Sequence, residues 1–544
     1  MKVVILGGYG VFGGKLAQLL HRDQTHQVVI AGRSVAKADA YVAEHGLRAD
    51  VLALDRSGNL AALWAVGPDL VVDAAGPFHA YGDDPYKLIR SCIAQGVHYL
   101  DLADNAAFCT GITELDAAAR EAGVFALSGV SSVPAISSAA VAALAIGAQE
   151  IDIIDTAILP GNRAPRGRAV VESILHQAGR PFDVITDGVV VPTRSWSQPA
   201  SFDLGQGLIR KGWAIKVPDH HLFADAFGAR TVQFRAGLEL GVMNYGLALF
   251  SYLRSNLGFG IGDWLVRLAL LLARFLWPFG TDEGGMSVSI TARFADGWQK
   301  RSWRLIARAG EGPFIPAVVS RVILRDISQI KPGARPAVAE IPLTAIEAGM
   351  ADLAVTAEQV AVPVTPLFQR HLGQAFDDLP GPVQAAHLVY GPQLWAGRGS
   401  VTRGASLWAR FIGAVVGFPK ATDDIVVTVA MIPSEDGEVW ERRFGDQLFR
   451  SHLRDKNGQM TERFGPFTFT LALQVMEGRL YFPVKAGRLG PIPLPRFLLP
   501  QSVAHEHAEN GVFHFDVALK APLTGALIVH YRGTLRRASD VASA

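Results

Sequence analysis

Cysteine is nearly absent: Cys92 and Cys109 are the only two in 544 residues. Neither stands in a metal-ligand spacing, and two cysteines cannot staple a chain this long. Both are expected to pack inside or beside helices rather than to react. Long uninterrupted apolar runs are missing too. The greasiest stretch, 238–279, is broken by Asp263, Arg267 and Arg274. A membrane-spanning helix needs about 18 or more nearly uncharged apolar residues. An excess of charge of one sign is also lacking, with 51 basic against 50 acidic side chains. Residues 1–150 carry 10 basic against 15 acidic groups, which argues against a nucleic-acid partner. The chain runs straight into a strand-like segment, so the expected compartment is the cytosol or the cytosolic face of a membrane.

What is present is apolar, with 49% hydrophobic residues and a mean hydropathy of +0.23. That composition and length predict a globular chain of two to four domains. Val3 to Leu6 reads as a buried strand, and Leu16, Leu19 and Leu20 mark a helix soon after it. Between them lie Gly7, Gly8, Tyr9, Gly10, Val11, Phe12 and Gly13, in which Gly8, Gly10 and Gly13 keep the spacing G-x-G-x-x-G. Strand, glycine turn and helix in that order form a dinucleotide-binding signature. The turn lets a pyrophosphate approach the backbone and the helix N-terminus.

A second strand, Gln27 to Ala31, ends near Arg33 and Ser34, with Lys37 just beyond. An acidic residue at this place would accept from the ribose 2′-hydroxyl of NAD. Arg and Ser instead suit a 2′-phosphate, so NADP (NADPH) is the expected cofactor. A third strand ends at Asp55, placed to meet the adenine edge. A fourth, Leu70 to Ala74, runs into Ala75, Gly76 and Pro77, small enough for the cofactor to pass close by. Later strands end near Asp101 and Asp104 and before Ser131. Alternating strands and helices predict a Rossmann-type, doubly wound parallel sheet over residues 1–150. Ligands of such sheets sit outside the carboxyl ends of the strands. Asp101, Asp104 and Ser131 are therefore the catalytic candidates. Helix capping or pairing with a local Arg is the competing role for the two acids.

The run Val71 to Phe78, then Tyr81-Gly82, Cys92 to Asp101 and Ser131 to Pro134, resembles the saccharopine dehydrogenase-like superfamily. That group contains saccharopine reductases and trans-acting enoyl reductases of lipid synthesis. The resemblance implies a nicotinamide-binding domain followed by a substrate domain. Gly284-Gly285-Met286 and Gly312-Pro313 are similar to the family as well. The family's substrate-binding Arg has no matching motif; Arg163, Arg166 and Arg168 qualify only as basic residues in a loop.

Residues 151–345 read as a second, α+β domain with an antiparallel or mixed sheet. Met286 to Arg293 and Lys300 to Arg308 alternate as a hairpin around Asp296-Gly297. In 238–279 the spacing predicts an amphipathic helix bearing Leu268, Leu271, Leu272, Phe275 and Leu276. Such a helix lies in a membrane interface or covers an acyl tunnel. A buried helix or a homodimer contact is the equal alternative. Residues 346–365 read as a linker.

From Pro366 to 537 recurrent turns separate alternating runs. Phe467, Phe469, Leu471, Leu473 and Val475 share one face, as do Phe513, Phe515, Val517 and Leu519. This predicts a C-terminal α+β domain with a curved antiparallel sheet and one apolar face able to hold an apolar ligand. Arg442, Arg463, His387 and His505 are candidate pocket residues, with cross-strand pairing to Glu441 or Glu462 as the favoured alternative. The block resembles a domain of unknown function found behind saccharopine dehydrogenase-like modules. No metal site is assigned. The expected activity is hydride transfer between NADP and a C=N, C=C or C=O bond of a hydrophobic substrate. A nucleotide- and lipid-binding scaffold and an amino-acid dehydrogenase are the alternatives.

Overall fold

The computed structural model describes residues 1–165, 168–416 and 418–542. They fall into two compact units. One comprises Met1–Ile185, Val190–Ala295 and Lys300–Val362. The other comprises Pro363–Ala544 with the hairpin tips Thr186–Val189 and Asp296–Gln299.

The first unit begins with β1 (Lys2–Leu6), α1 (Val11–Asp23), β2 (Gln27–Gly32), α2 (Val35–His45) and β3 (Ala49–Ala53). Then follow β4 (Leu70–Asp73), β5 (His98–Asp101) and β6 (Phe125–Ser128). These strands are parallel, in the order β6-β5-β4-β1-β2-β3. Helices cover both faces, so Val3, Val4 and Ile5 are all fully buried and β1 reads as a continuous apolar run rather than an alternating one. A seventh strand, Gly333–Pro336, adds parallel to β6. Nothing in its four residues announces a strand; Pro336 is tolerated because the strand lies at an edge.

A second, mixed sheet holds Glu150–Leu159 between the parallel strand Thr231–Ala236 and the antiparallel strand Gly284–Phe294. The hairpin with Gly297–Ala307 forms as expected, with Gly297 at φ +114° in its turn. Residues 346–365 are not a linker. They contain the end of a helix, Leu343–Gly349, and the edge strand Val355–Pro363. That strand is exposed along most of its length, so it carries no apolar alternation to read.

The two sheets share one core. Ile5, Leu16 and Val72 belong to the same buried cluster as Ile154, Val288, Ile290 and Trp303. The small residues Ala139 and Ala140 and the apolar Val318 and Ile323 join it from two helices. The buried Arg321 donates to both carboxylate oxygens of Asp23, at 2.9 and 2.7 Å, and Arg325 adds a further pair. Burial would raise the Asp23 pKa, but these guanidinium hydrogen bonds override it and hold it at about 2.

The apolar stretch forms two helices, Gly241–Leu257 and Asp263–Leu276. Gly258, at φ +68°, ends the first. Four residues apart on the second helix, Arg267 donates to Asp263 at 2.7 Å. The buried-helix alternative is corrected: Trp264, Leu271 and Phe275 are 68%, 64% and 70% exposed. Periodicity shows that a helix has an apolar face, not what covers it. Among the described residues no helix is long and apolar enough to cross a membrane.

The second unit is built on a 13-stranded antiparallel sheet whose edge strands are Gln474–Met476 and Ile492–Pro493, with Gln393–Arg403 and Leu527–Arg537 paired near its middle. Two-residue turns such as Asn457-Gly458, at φ +53° and +72°, set its hairpins. One expected strand is split. Phe467–Leu471 pairs near one end of the sheet, while Gln474–Met476 lies at the other. Val475 thus leaves the face shared by Phe467 and Leu471.

Candidate functional site

In a parallel sheet every strand delivers its following residues to the same edge. Along that edge lie, in order, Ser131 after β6, Asp104 after β5, Ala75 to Pro77 after β4, and the glycine turn after β1. Arg33 and Ser34 after β2 and Asp55 after β3 complete the row. The strand order reverses between β4 and β1, which makes the crevice for a dinucleotide.

The glycines are dictated sterically. Gly7 adopts φ +70°, and a Cβ there would stand 2.8 Å from the Ala74 carbonyl. A Cβ at Gly13 would meet the Gly7 carbonyl at 2.5 Å. At Gly8 it would meet the Ile5 carbonyl at 2.9 Å. Gly10 is the N-cap of α1, and the first helical bond runs from Gly14 N to Gly10 O at 3.0 Å. The amides of Val11, Phe12 and Gly13 precede that bond and are the donors a helix end offers an anion. No acidic side chain stands in the first turn of α1 to compete with one.

Tyr9 ties the turn to β2. Its ring lies where a Cβ on Gly32 would be 2.5 Å away, and its hydroxyl accepts from Ser34 N at 3.3 Å. Ser34 caps α2 by accepting from Lys37 N. Arg33 and Lys37 are exposed. Asp55 is exposed as well, and accepts from Ser57 N at 2.9 Å to form a local turn.

The catalytic candidates separate. Asp101 is fully buried. Its Oδ1 accepts from Ala103 N at 3.0 Å, Ser128 Oγ at 2.9 Å and Gly129 N at 2.8 Å. It clamps the end of β5 to the end of β6, while its Oδ2 has no partner. Burial pushes its carboxyl up to about 7. Asp104 is exposed to solvent yet crowded by protein atoms, as befits the wall of a crevice. That crowding raises its pKa, and the nearby His79 imidazole opposes the rise. Ser131 is half-buried, in extended backbone beside the cis Val133–Pro134 peptide. Asp104 and Ser131 are thus reachable by a bound molecule, and Asp101 is not.

Three features were missed from sequence. Asp73, fully buried at the end of β4, accepts from Ala75 N at 3.0 Å, from the Tyr81 hydroxyl, and from Arg56 Nε at 3.2 Å. The Arg56 guanidinium also stacks 3.3 Å from the Tyr81 ring centroid. This cluster supports Ala75 and the cis Gly76–Pro77 peptide from beneath. His79 follows them closely in the chain, acts electrostatically on Asp104, and has the His176 ring 6.2 Å away. Its position just past a strand end was a legible signal. Asp219 accepts from Ser137 Oγ at 2.7 Å, and burial pushes its carboxyl up to about 7. Both cysteines are buried, and burial raises both thiols; Asp101, Asp104 and Asp219 raise Cys109 further.

The loop arginines are engaged elsewhere. Arg163 donates to the Pro278 carbonyl and Arg168 pairs with Asp263; Arg166 lies outside the described residues. In the second unit His507, Glu509 and His514 bring three donor atoms within 4.8 Å of one another on a partly exposed sheet face. His505 does not join them; it meets Arg479.

Residues 3–127 match the saccharopine dehydrogenase NADP binding domain. Residues 379–535 match a domain of unknown function, DUF4166. No curated protein matches the chain. Among solved structures, saccharopine dehydrogenase (L-Glu forming) from Saccharomyces cerevisiae is 15% identical, with a TM-score of 0.47. That match covers 66% of this chain and 99% of the yeast chain. A homospermidine synthase from Legionella pneumophila, solved in complex with NAD, is 13% identical with a TM-score of 0.48. It covers 67% of this chain and 92% of its own.

Proposed function

From a saccharopine dehydrogenase-type NAD(P)-binding domain, that of an NAD(P)-dependent oxidoreductase, we propose that the chain uses NADP to reduce or oxidise an apolar substrate. The transferred hydride passes to or from a C=N, C=C or C=O bond. The observation that carries the choice of NADP is the end of β2, where exposed Arg33 and Lys37 and the hydroxyl of Ser34 stand in place of an acid. A guanidinium holds a 2′-phosphate by charge-assisted hydrogen bonds. The residues available to the substrate are Asp104, His79 and Ser131. His79 offers the substrate an imidazole, with a hydrogen-bond donor on one ring nitrogen and an acceptor on the other, and it interacts electrostatically with Asp104. Asp101 acts as a positioning residue, holding the β5 and β6 ends.

NADPH is expected to bind at least about tenfold more tightly than NADH, and Arg33→Ala to remove most of that preference. Calorimetric titration of both cofactors checks this. Consumption of NADPH with a panel of enoyl, imine and carbonyl substrates tests hydride transfer. Tight NADPH binding with no turnover across the panel would favour a nucleotide-sensing scaffold instead.

The exposed faces of Gly241–Leu257 and Asp263–Leu276 suit contact with a lipid surface, with Arg267 and Arg274 facing anionic headgroups. The wild-type chain is expected to co-sediment with vesicles containing phosphatidylglycerol. Leu271→Asp combined with Phe275→Asp should reduce sedimentation to that of vesicle-free controls. Equal sedimentation of both proteins would reject membrane contact.

A further inference from the structure

The sheet of the second unit encloses a cavity of about 380 Å³. Its walls include the alternating apolar faces, with Phe467, Phe469 and Leu471 from one strand and Phe513, Phe515 and Val517 from another. Trp408, Phe411 and Ile412 of the helix Leu407–Val416 line it as well. Trp408 and Phe411 are also 40% and 59% exposed, so they stand at the rim. Protein interiors are normally packed to the density of organic crystals. A space of this size falls instead in the range of small-molecule pockets, about 300–1,000 Å³.

The polar groups on the lining restrict what it accepts. Arg442 pairs with Glu462 at 3.3 Å, donates to Ser451 Oγ at 2.8 Å, and lies 4.6 Å from the Trp440 ring centroid. Glu506 is held by the fully buried His387 at 2.6 Å. Each charge on the wall is thus matched by a protein partner. A carboxylate or phosphate head would have to displace Glu462 from Arg442, leaving a buried acid unpaired. An ammonium would meet the opposite mismatch. The remaining polar lining groups are the Ser502 and Tyr531 hydroxyls and the Trp408 and Trp440 indoles, which donate to the Pro522 carbonyl and to Glu438.

We propose that this cavity binds a neutral, hydrocarbon-rich small molecule, whose chain fills the aromatic walls and whose one polar group hydrogen-bonds at Arg442–Glu462 or Ser502. The proposal is independent of the dinucleotide site.

The test is a titration of the delipidated full-length chain with N-phenyl-1-naphthylamine, a neutral fluorescent probe. One probe per chain is expected. 1-Dodecanol should displace it at concentrations at least about tenfold below dodecanoate. Ser502→Trp, which fills the cavity from a half-buried position, and Phe411→Asp, at the exposed rim, should each weaken binding by about tenfold or more. Leu271→Asp, on the apolar helix of the first unit, should leave it unchanged. Melting curves and NADPH binding establish that each variant is folded; if Ser502→Trp fails to fold, Phe411→Asp decides. Probe binding that survives the cavity variants, or is lost in Leu271→Asp, would overturn the proposal. So would dodecanoate displacing the probe as well as dodecanol.

Discussion

Gly10→Asp is expected to weaken NADPH binding by at least about 100-fold while leaving the fold intact. Gly10 is extended, at φ −79° and ψ 178°, a conformation open to any residue. A Cβ there meets one close neighbour, the Gly7 carbonyl at 3.0 Å, so a small adjustment accommodates it. Asp is also among the best N-caps, and its carboxylate would take the amides of the first turn for itself. Those are the donors proposed for the pyrophosphate. A fixed negative charge about 5 Å from the phosphates costs roughly 3 kcal/mol at an effective dielectric of 20, beyond the lost hydrogen bonds. Calorimetry with NADPH and a melting curve separate the two effects. An unchanged affinity would mean that the dinucleotide does not sit at this helix end. Substitution at Gly13 would not be as informative, because its Cβ would collide with the Gly7 carbonyl at 2.5 Å and damage the turn itself.

Arg56→Leu is expected to destabilise the first unit by about 3–5 kcal/mol, the loss typical when one partner of a buried ion pair is removed. Asp73 is fully buried and Arg56 is its cationic partner. Burial already raises the Asp73 pKa in spite of Arg56. Without the guanidinium it would rise further. A raised carboxyl pKa means that the folded state binds the proton more tightly than the unfolded chain. Stability therefore falls as pH rises through the interval between the unfolded and folded values. The deficit of Arg56→Leu should be greatest at neutral and alkaline pH and shrink as pH falls. Urea unfolding of the first unit at several pH values measures it. Adding Asp73→Asn should restore much of the neutral-pH loss. A deficit independent of pH, with no rescue, would assign the effect to lost packing on Tyr81 instead. NADPH binding should weaken too, because Asp73 holds the Ala75 amide beside the path proposed for the cofactor.

The catalytic candidates show why a strand-end position is only half an assignment. Asp101 and Asp104 lie three residues apart at the end of the same strand. One is tied by three hydrogen bonds and sealed from solvent, and the other is open to it. The difference comes from Ser128 and Gly129, 27 and 28 residues further on, which the fold brings back over Asp101. The apolar helices teach the same lesson in reverse. Their amphipathic spacing and the Asp263–Arg267 pair are local and legible, whereas their exposure is not.

What the sequence determined by itself is what depends on neighbours a few residues apart. The glycine spacing dictates the turn, because Gly7 and Gly13, six residues apart, press together where strand passes into helix. Runs of buried β-branched residues dictate the parallel strands, and strict alternation dictates the hairpins of the second unit. What only the tertiary structure decided depends on residues far apart in the chain. Arg56 meets Asp73 and Tyr81, His79 acts electrostatically on Asp104, and Gly333–Pro336 returns to β6 across more than 200 residues. The curling of 13 strands around an apolar cavity is of the same kind. Such contacts form because burial must be satisfied across the whole unit, and no periodicity within a window of sequence records which distant partner satisfies it.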